Sequence, residues 1–368
     1  KKQKAITNNF IPPLLIRLTI PSIFGILGIM IFNLIDTYFV GRLGSTELAA
    51  LSFTFPVVLM IGSFILGLGT GVMALFSRAA GSHDLKEEQR LATASLMLGF
   101  AVSLLLSIAG WFTVRPLFTL LGADETLLPY ITTYMKIWYI GMPFIVIPMI
   151  GDYILRGLGD TMTPSFIMLT CSLINAVVDP LLIFGIGPFP AMGIAGAAVA
   201  TVFARFITMV VSLLIQIMRD HLISFRVLTV SIIAERWKRM IFLGLPNAAV
   251  KMILPLGMGI VTAVLARFGT EAVAGYGVAA RIEGFIMSVS LAMAITAGVF
   301  VGQNVGADKP GRVREGLRWL KIYSLGYGLL MWGVLAFFRF HLAAIFSDDP
   351  VIQKTIALYL LIVPAGYG

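Results

Sequence analysis

Two aspartates inside apolar stretches are the residues in this sequence best suited to chemistry. Asp36 stands in IFNLIDTYF and Asp179 in SLINAVVDPLL. An ionisable group inside a membrane-spanning helix costs about 2.5–3.5 kcal/mol on insertion scales, which makes it a functional candidate by default. Asn175 precedes Asp179 by four residues and shares its helical face, and Asn33 precedes Asp36 by three. The pattern predicts paired carboxylates with amide partners that can share a proton.

Each aspartate alone has a simpler interpretation, which is hydration near the membrane surface or a hydrogen bond to a helix end. Both carboxylates stand a similar distance before the ends of helices that run in the same direction. A common depth favours one shared site. Oxygens of Asp and Asn also suit a hard cation, so the same residues could hold Na⁺.

Three further polar residues could extend this network. Tyr134 and Asp152 lie in the fourth apolar segment, and Thr201 lies early in the sixth. For Tyr134 and Thr201 the alternative is ordinary hydrogen bonding between helices. Asp152 would add a third protonatable group.

Charged residues also occur within the apolar segments of the second half of the chain. Lys251, Arg281 and Glu283 are predicted to form one neutralising ion pair that holds this half together. Pro21 lies in the first third of the first apolar segment, where it removes one helical hydrogen bond. It is either a static bend or a hinge.

The elements that position these residues are apolar helices. The 368 residues are 58% hydrophobic and 12% charged, whereas soluble domains carry roughly 25% charged residues. A bilayer-spanning helix needs about 20 apolar residues, so the sequence predicts an all-α, polytopic membrane protein. The predicted helices are Pro12–Val40, Leu48–Ala80, Lys86–Val114, Leu127–Arg156, Thr163–Phe184, Ile194–Met218, Ala234–Ala266, Val273–Asn304, Val313–Phe337 and Val351–Gly368.

The chain contains an internal repeat. LTIPSIFG…GRLGSTELAALSF resembles LGLPNAAV…ARFGTEAVAGYGV, with Pro21 matching Pro246 and Arg42 matching Arg267 at one separation. Six helices per copy give both copies the same orientation, so the repeat is parallel. We expect two six-helix bundles, twelve helices in all, with the last two missing from this sequence. The predicted divisions are an N-terminal bundle at 1–218, a cytoplasmic linker at 219–233 and a C-terminal bundle, with four of its helices, at 234–368.

The basic residues indicate the topology. Most of the 27 Lys and Arg residues fall at the helix ends on the side of the N-terminus, including Lys1, Lys2 and Lys4. The positive-inside rule then predicts a multi-pass protein of the cell (inner) membrane with a cytoplasmic N-terminus. The net charge of +9 lies in short loops, which argues against a nucleic-acid partner.

Several function classes lack their motifs. No phosphate-binding lysine loop of an ATP-driven pump is present, and no nucleophile–base or metal-ligand cluster suggests an enzyme. The single cysteine, Cys171, lies in an apolar segment and predicts a small buried side chain. We expect no cofactor, no resident metal and no obligatory protein partner.

The segments LTIPSIFG, LIDTYFVGRLGSTELAALSF, LRGLGDTMTPS, INAVVDPLLIFG, GIAGAAVAT and VGQNVGA resemble those of the multidrug and toxic compound extrusion (MATE) family, over almost the whole chain. The resemblance implies two six-helix bundles around a cleft and export of cationic or amphipathic compounds in exchange for protons or Na⁺. Asp36, Asn175 and Asp179 match the first-bundle network of the DinF-like branch, and Pro21 matches its bending proline. Leu254 stands where the NorM-like branch has a glutamate, which favours protons.

The resulting prediction is proton-coupled drug export by alternating access, in which protonation of Asp36 bends the first helix at Pro21. Two alternatives stay open: a sodium-coupled drug antiporter, and a flippase for lipids or lipid-linked sugars. A flippase for a pyrophosphate-linked substrate would need several cations in its cleft, and only Lys251 and Arg281 qualify.

Overall fold

The computed structural model describes residues 6–224, 229–347 and 349–367, and these form an array of long helices. The basic residues Lys1, Lys2 and Lys4, part of the predicted linker, and Gly368 lie outside this range. The helices are α1 (Ile11–Gly41), α2 (Ser45–Ser82), α3 (Leu85–Leu120), α4 (Leu128–Ile140), α5 (Met142–Gly157), α6 (Met162–Phe184), α7 (Ile194–Leu214), α8 (Val230–Leu265), α9 (Thr270–Gly306), α10 (Pro310–Phe346) and α11 (Pro350–Ile362).

The helices are long and apolar enough to cross a membrane. Within the described residues eight single helices meet that test, and α4 and α5 together make a ninth, bent span. The prediction of an all-α, polytopic membrane protein is confirmed. We call α1–α7 the first half and α8–α11 the second half.

The predicted single helix Leu127–Arg156 is wrong in one respect, because it is broken into α4 and α5 with a bend of 52°. Pro143 stands in the first turn of α5 and cannot donate the hydrogen bond that would continue α4. Gly141 separates the two helices. A Cβ atom there would lie 2.3 Å from Cγ2 of Val202 in α7, so the absence of a side chain at Gly141 allows α7 to pack closely.

Other boundaries differ from the predicted ones by modest amounts. α3 runs through Pro116 to Leu120, and α10 continues to Phe346. α7 ends in a π-helical turn at Ile215–Arg219, and α11 ends in a 3₁₀ turn at Val363–Gly366. Apolar sequence alone does not define these ends, because long helices continue past the hydrocarbon wherever tertiary packing supports them.

The two halves pack through small residues on α2. A Cβ atom on Gly67 would lie 2.1 Å from Cα of Ala248 in α8, and one on Gly81 would lie 2.0 Å from the carbonyl oxygen of Gln303 in α9. On the facing helix, a Cβ atom on Gly302 would lie 1.9 Å from Oγ of Ser77. Helices in apolar surroundings associate by such close backbone approach. The contacts occupy the middle of α2 and its C-terminal end.

Polar bonds between the halves concentrate at the end of the bundle that carries residues 6–10, which we call the N-terminal face. Arg236 of α8 pairs with Glu87 of α3 at 2.8 Å. Arg312 of α10 donates to the carbonyl oxygen of Asn9 at 2.7 Å. Gln303 Nε2 donates to the carbonyl oxygen of Gly157 at 2.7 Å. The two halves are therefore joined at this face.

Candidate functional site

Small residues bring α1 against α6, and this contact positions the candidate site. A Cβ atom on Gly25 would lie 2.8 Å from Oγ of Ser165. Three residues further along α1, the carbonyl oxygen of Gly28 accepts a 2.7 Å hydrogen bond from the Ser172 hydroxyl. Both helices run away from the N-terminal face, so Asp36 and Asp179 reach the same region near their far ends.

The predicted residues Asp36, Asn175 and Asp179 come together in the buried interior of the first half. Asn175 Nδ2 donates to Asp179 Oδ1 at 3.0 Å, which confirms that these two side chains share a helical face. Asp36 is 8% exposed, and Asn175 and Asp179 are each 0% exposed. The carboxyl groups of Asp36 and Asp179 lie close enough to interact electrostatically.

The oxygen atoms of this group are incompletely satisfied. Among the described residues, Asp36 Oδ1, Asn175 Oδ1 and Asp179 Oδ2 are buried without a hydrogen-bond partner, and so is Thr201 Oγ1 of α7. Buried polar atoms in proteins are usually paired, so each orphaned one calls for an explanation. Unpaired carboxylate and amide oxygens are suitable acceptors for a proton or for a hard cation such as Na⁺.

Tyr134 adds a phenol to the same region. Its side chain is 5% exposed, and it lies close enough to both Asp36 and Asp179 to interact with them electrostatically. Thr201 is also 5% exposed and lies early in α7, which runs from the far face beside α6. The predicted supporting role thus fits the position of Tyr134, while Thr201 stays a prediction that rests on depth and on its unpaired hydroxyl.

Asn33 does not belong to the buried group. Its side chain is exposed, and its carbonyl oxygen accepts a bond from the Thr37 hydroxyl at 2.8 Å. Residues three apart are neighbours on a helix, yet in the described part of the chain no hydrogen bond joins the side chains of Asn33 and Asp36, and Asp36 Oδ1 is unpaired. The prediction that Asn33 serves Asp36 as an amide partner is therefore corrected.

Asp152 lies in a second polar cluster of the first half. It is 8% exposed and interacts electrostatically with Arg156 of α5 and Arg205 of α7. Arg156 is 7% exposed, and Nη1 of Arg156 donates to the hydroxyl of Ser22 at 2.9 Å. The guanidinium of Arg205 lies over the ring of Phe32, with its central carbon 5.2 Å from the centroid.

Counting basic residues at the helix ends on the side of the N-terminus includes Arg156 and Arg205, and for Arg205 that placement is wrong. Arg205 lies well inside α7, and Arg156, although it stands near the end of α5, turns into the bundle. A buried charge needs partners, which Ser22, Asp152 and the Phe32 ring provide. The cluster consists of two cations and one carboxylate, so it is net positive when Asp152 is ionised.

Pro21 lies inside α1, which continues through it. The next residue, Ser22, donates to the carbonyl oxygen of Leu18 at 3.2 Å while it accepts from Arg156. Thr19 hydrogen-bonds to the hydroxyl of Thr296 in α9 at 3.0 Å. The segment around Pro21 is thus held from α5 and from the second half.

The predicted ion pair among Lys251, Arg281 and Glu283 is not formed. In the described part of the chain, no ion pair involves any of these three residues. Glu283 Oε2 instead accepts a hydrogen bond from the hydroxyl of Tyr359, 76 residues further along. Arg281 is exposed on the other side of α9. Arg281 and Glu283 are two residues apart, about 200° around the helix, so they lie on different faces of α9.

Two groups of functional candidates were missed from the sequence. One comprises Arg156 and Arg205; for Arg205 its position inside an apolar helix was the available clue, whereas Arg156 lies in the last turn of α5. The other is the contact of Glu283 with Tyr359. The 76 residues between them gave no clue, because the two side chains belong to different helices, α9 and α11.

The sequence of this chain is similar to those of known membrane transporters. A family model described as MatE matches residues 21–181 and 246–367. A protein of Shewanella oneidensis named FAD transporter is 37% identical over 354 residues, which are 96% of this chain and 78% of that protein. A Bacillus subtilis protein named probable multidrug resistance protein YoeA is 27% identical over 88% of this chain and 69% of its own length.

Solved structures share the fold. A Vibrio cholerae MATE transporter, VcmN in its bent form, superposes with a TM-score of 0.88 and 27% identity, covering 99% of this chain and 81% of that one. An outward-facing multidrug resistance transporter of the MATE family superposes with a TM-score of 0.89 and 25% identity, covering 99% and 80%.

Proposed function

This chain belongs to the MatE family of membrane transporters, and from that premise we propose that it exports cationic or amphipathic organic compounds in exchange for protons. It is a multi-pass membrane protein, and its relatives support a MATE-type efflux transporter rather than an enzyme. The coupling ion, the substrate, the inner-membrane location and the cytoplasmic N-terminus belong to the proposal.

The observation that carries the proposal is the group of unpaired buried oxygens on Asp36, Asn175 and Asp179. Two carboxylates that interact with each other and have no cationic partner in the described residues favour uptake of a positive ion. A proton on Asp36 would turn an acceptor into a donor and so allow a hydrogen bond that the carboxylate cannot donate. The charge moved by one proton across 100 mV is worth about 2.3 kcal/mol, enough to drive substrate uphill.

The contacts between the halves support alternating access. The ion pair between Glu87 and Arg236 and the bond from Gln303 to Gly157 join the halves at the N-terminal face. With a cytoplasmic N-terminus, this arrangement is closed toward the cytoplasm, and the coupling site lies near the outer ends of α1 and α6. Protons from outside would then load Asp36 and Asp179 before the halves reopen inward.

Bending of α1 at Pro21 would couple proton uptake to substrate release. The missing backbone N–H at Pro21 weakens the helix at one point. The hydrogen bond from Arg156 to Ser22 fixes α1 next to that point. Protonation at Asp36 changes the far end of the same helix, so a bend at Pro21 would reshape the cavity of the first half.

Sodium coupling is the alternative for the same atoms. Na⁺ prefers oxygen ligands, and Asp36, Asn175, Asp179 and Thr201 offer unpaired oxygens. The two ions are distinguished by which gradient drives transport, so both are included in the experiment.

A second candidate substrate is FAD. The Shewanella oneidensis relative named FAD transporter is more similar to this chain, at 37% identity, than the probable multidrug resistance protein YoeA, at 27%. FAD carries a diphosphate, and arginine is well suited to bind phosphate oxygens. Arg156 and Arg205 place two cations inside the first half, where a diphosphate could be bound.

The experiment measures ethidium efflux from proteoliposomes that contain the complete protein. An imposed pH gradient without sodium should drive efflux in wild type and in Asp124→Asn, whose carboxylate lies in the exposed loop after α3. Asp36→Asn should abolish it. Efflux that follows a sodium gradient instead would change the coupling ion, and full activity of Asp36→Asn would refute the coupling site.

A further inference from the structure

Tyrosine side chains converge on Glu283 in the second half. Glu283 lies in α9, and its Oε2 accepts the hydrogen bond from Tyr359 of α11. Tyr276 lies about two turns before Glu283 in α9. The centroid of its ring is 5.6 Å from that of Tyr359, at an interplanar angle of 69°. Tyr367, just beyond α11, lies close to Glu283, and Tyr327 of α10 lies close to Tyr367. We call these five residues the tyrosine–glutamate cage.

The cage contains a negative charge without a positive partner. Among the described residues, no lysine or arginine forms an ion pair with Glu283. Lys251 is half-buried on α8, and Arg281 is exposed. A carboxylate among apolar helices without a cation is costly, and hydrogen bonds from tyrosine hydroxyls offset only part of that cost.

The arrangement of the rings also suits a cation. Tyr276 and Tyr359 meet edge to face, so their planes form a corner beside the carboxylate. The face of a tyrosine ring attracts a cation within about 6 Å of its centroid, and several such faces together recognise quaternary ammonium groups. Tyr276 is 8% exposed and the other members are half-buried, so the group is sheltered and still accessible.

The cage lies beside the first half. The next residue after Glu283 is Gly284, and a Cβ atom there would lie 3.3 Å from Cε of Met30 in α1. The level of α9 that carries Glu283 is therefore the level at which α9 contacts α1, the helix of Asp36 and Pro21. A ligand in the cage would be next to the surface along which the two halves move.

We propose that the tyrosine–glutamate cage is a binding subsite for lipophilic organic cations, with Glu283 as the counter-charge and the rings of Tyr276 and Tyr359 as its walls. The inference rests on the proposed export function and locates part of the substrate path in the second half. It assigns the substrate cation to Glu283 and the coupling ion to Asp36, in different halves of the protein.

The competing explanation is a structural tie between α9 and α11. A tie needs only the hydroxyl of Tyr359, whereas a cation subsite needs its ring. Tyr359→Phe removes the hydroxyl and keeps the ring, and Tyr359→Leu removes both. For a cation subsite, Tyr359→Phe should retain most of the affinity and Tyr359→Leu should lose about threefold or more.

The test is equilibrium binding of tetraphenylphosphonium to the complete purified protein in detergent, with protein-free micelles as the blank. Tetraphenylborate, which has the same shape and the opposite charge, is the matched probe. Glu283→Gln should weaken phosphonium binding about tenfold or more, and Tyr276→Leu about threefold. Glu271→Gln, an exposed carboxylate on the same helix, and Tyr130→Leu, an exposed ring on α4, should leave it unchanged.

The result also separates this inference from the export proposal. Normal phosphonium affinity in both Glu283→Gln and Tyr276→Leu overturns the cage, even if Asp36→Asn abolishes efflux. Equal phosphonium and borate affinity overturns it as well. Loss of binding in Glu283→Gln with retained binding in Asp36→Asn supports it, whatever ion drives transport. Should Glu283→Gln fail to fold, the Tyr276 and Tyr359 series decides.

Discussion

Arg156 donates a hydrogen bond to the hydroxyl of Ser22, the residue that directly follows the proline inside α1. A buried cation on α5 is thereby attached at the point where α1 lacks a backbone hydrogen bond. The weak point of the helix is also the point at which a neighbouring helix restrains it. Bending of α1 at Pro21 must therefore either break the hydrogen bond between Arg156 and Ser22 or move the Arg156 side chain together with α1.

The first prediction concerns Pro21. Pro21→Ala restores the missing N–H donor and stiffens α1, so we expect proton-driven ethidium efflux to fall severalfold while ethidium binding is retained. Pro12→Ala is the control, because Pro12 stands in the first turn of α1, where no helical donor is needed. Normal efflux by Pro21→Ala, measured in proteoliposomes, would contradict the hinge.

The ion pair between Glu87 and Arg236 leads to a second prediction. Its nitrogen and oxygen lie 2.8 Å apart, with the two side chains 23% and 11% exposed. Removing a partly exposed pair costs about 1 kcal/mol, which shifts a two-state equilibrium about fivefold. Glu87→Gln should therefore open the N-terminal face more often.

The opening can be measured by labelling a cysteine placed at Ala94, whose carbonyl oxygen accepts from Trp237 across the same contact. The cysteine should react faster in Glu87→Gln than in an otherwise wild-type background. Combining Glu87→Arg with Arg236→Glu should restore slow labelling. Equal labelling in all three proteins would show that the pair does not hold the face closed.

Close helix contact at Gly81 gives the third prediction. A Cβ atom there would lie 2.0 Å from a backbone oxygen of Gln303, which cannot move aside as a side chain can. Overpacking of this kind costs about 1–3 kcal/mol. Gly81→Ala should destabilise the arrangement closed at the N-terminal face and slow efflux. Gly62→Ala, where no atom lies within 4 Å, should leave efflux unchanged; similar rates for both would contradict the prediction.

The fourth prediction tests the diphosphate candidate. Arg156→Gln and Arg205→Gln each remove one cation from the first half, so FAD export should fall about tenfold or more. Ethidium export should fall much less in Arg205→Gln, since ethidium carries no phosphate. Arg205→Lys keeps the charge and loses the planar fork, and an intermediate rate is expected. An equal loss of both substrates would indicate a structural role for the arginines.

The sequence by itself determined the helical class, the number of long apolar segments and the residues that stand out inside them. Charge is costly in hydrocarbon, so Asp36 and Asp179 were recognisable without any structure. The four-residue spacing of Asn175 and Asp179 also predicted their hydrogen bond, because the helix itself fixes which side chains share a face. These properties are local and follow from helix geometry and composition.

Only the tertiary structure decided which side chains meet across helices. It placed Glu283 beside Tyr359 rather than beside Lys251 or Arg281, and it turned Arg156 inward onto Ser22. Helix rotation and tilt depend on which residues allow two backbones to approach, as at Gly25 and Gly81. Such packing depends on the shapes of both helices at once, so the sequence of one helix does not predict its rotation or tilt.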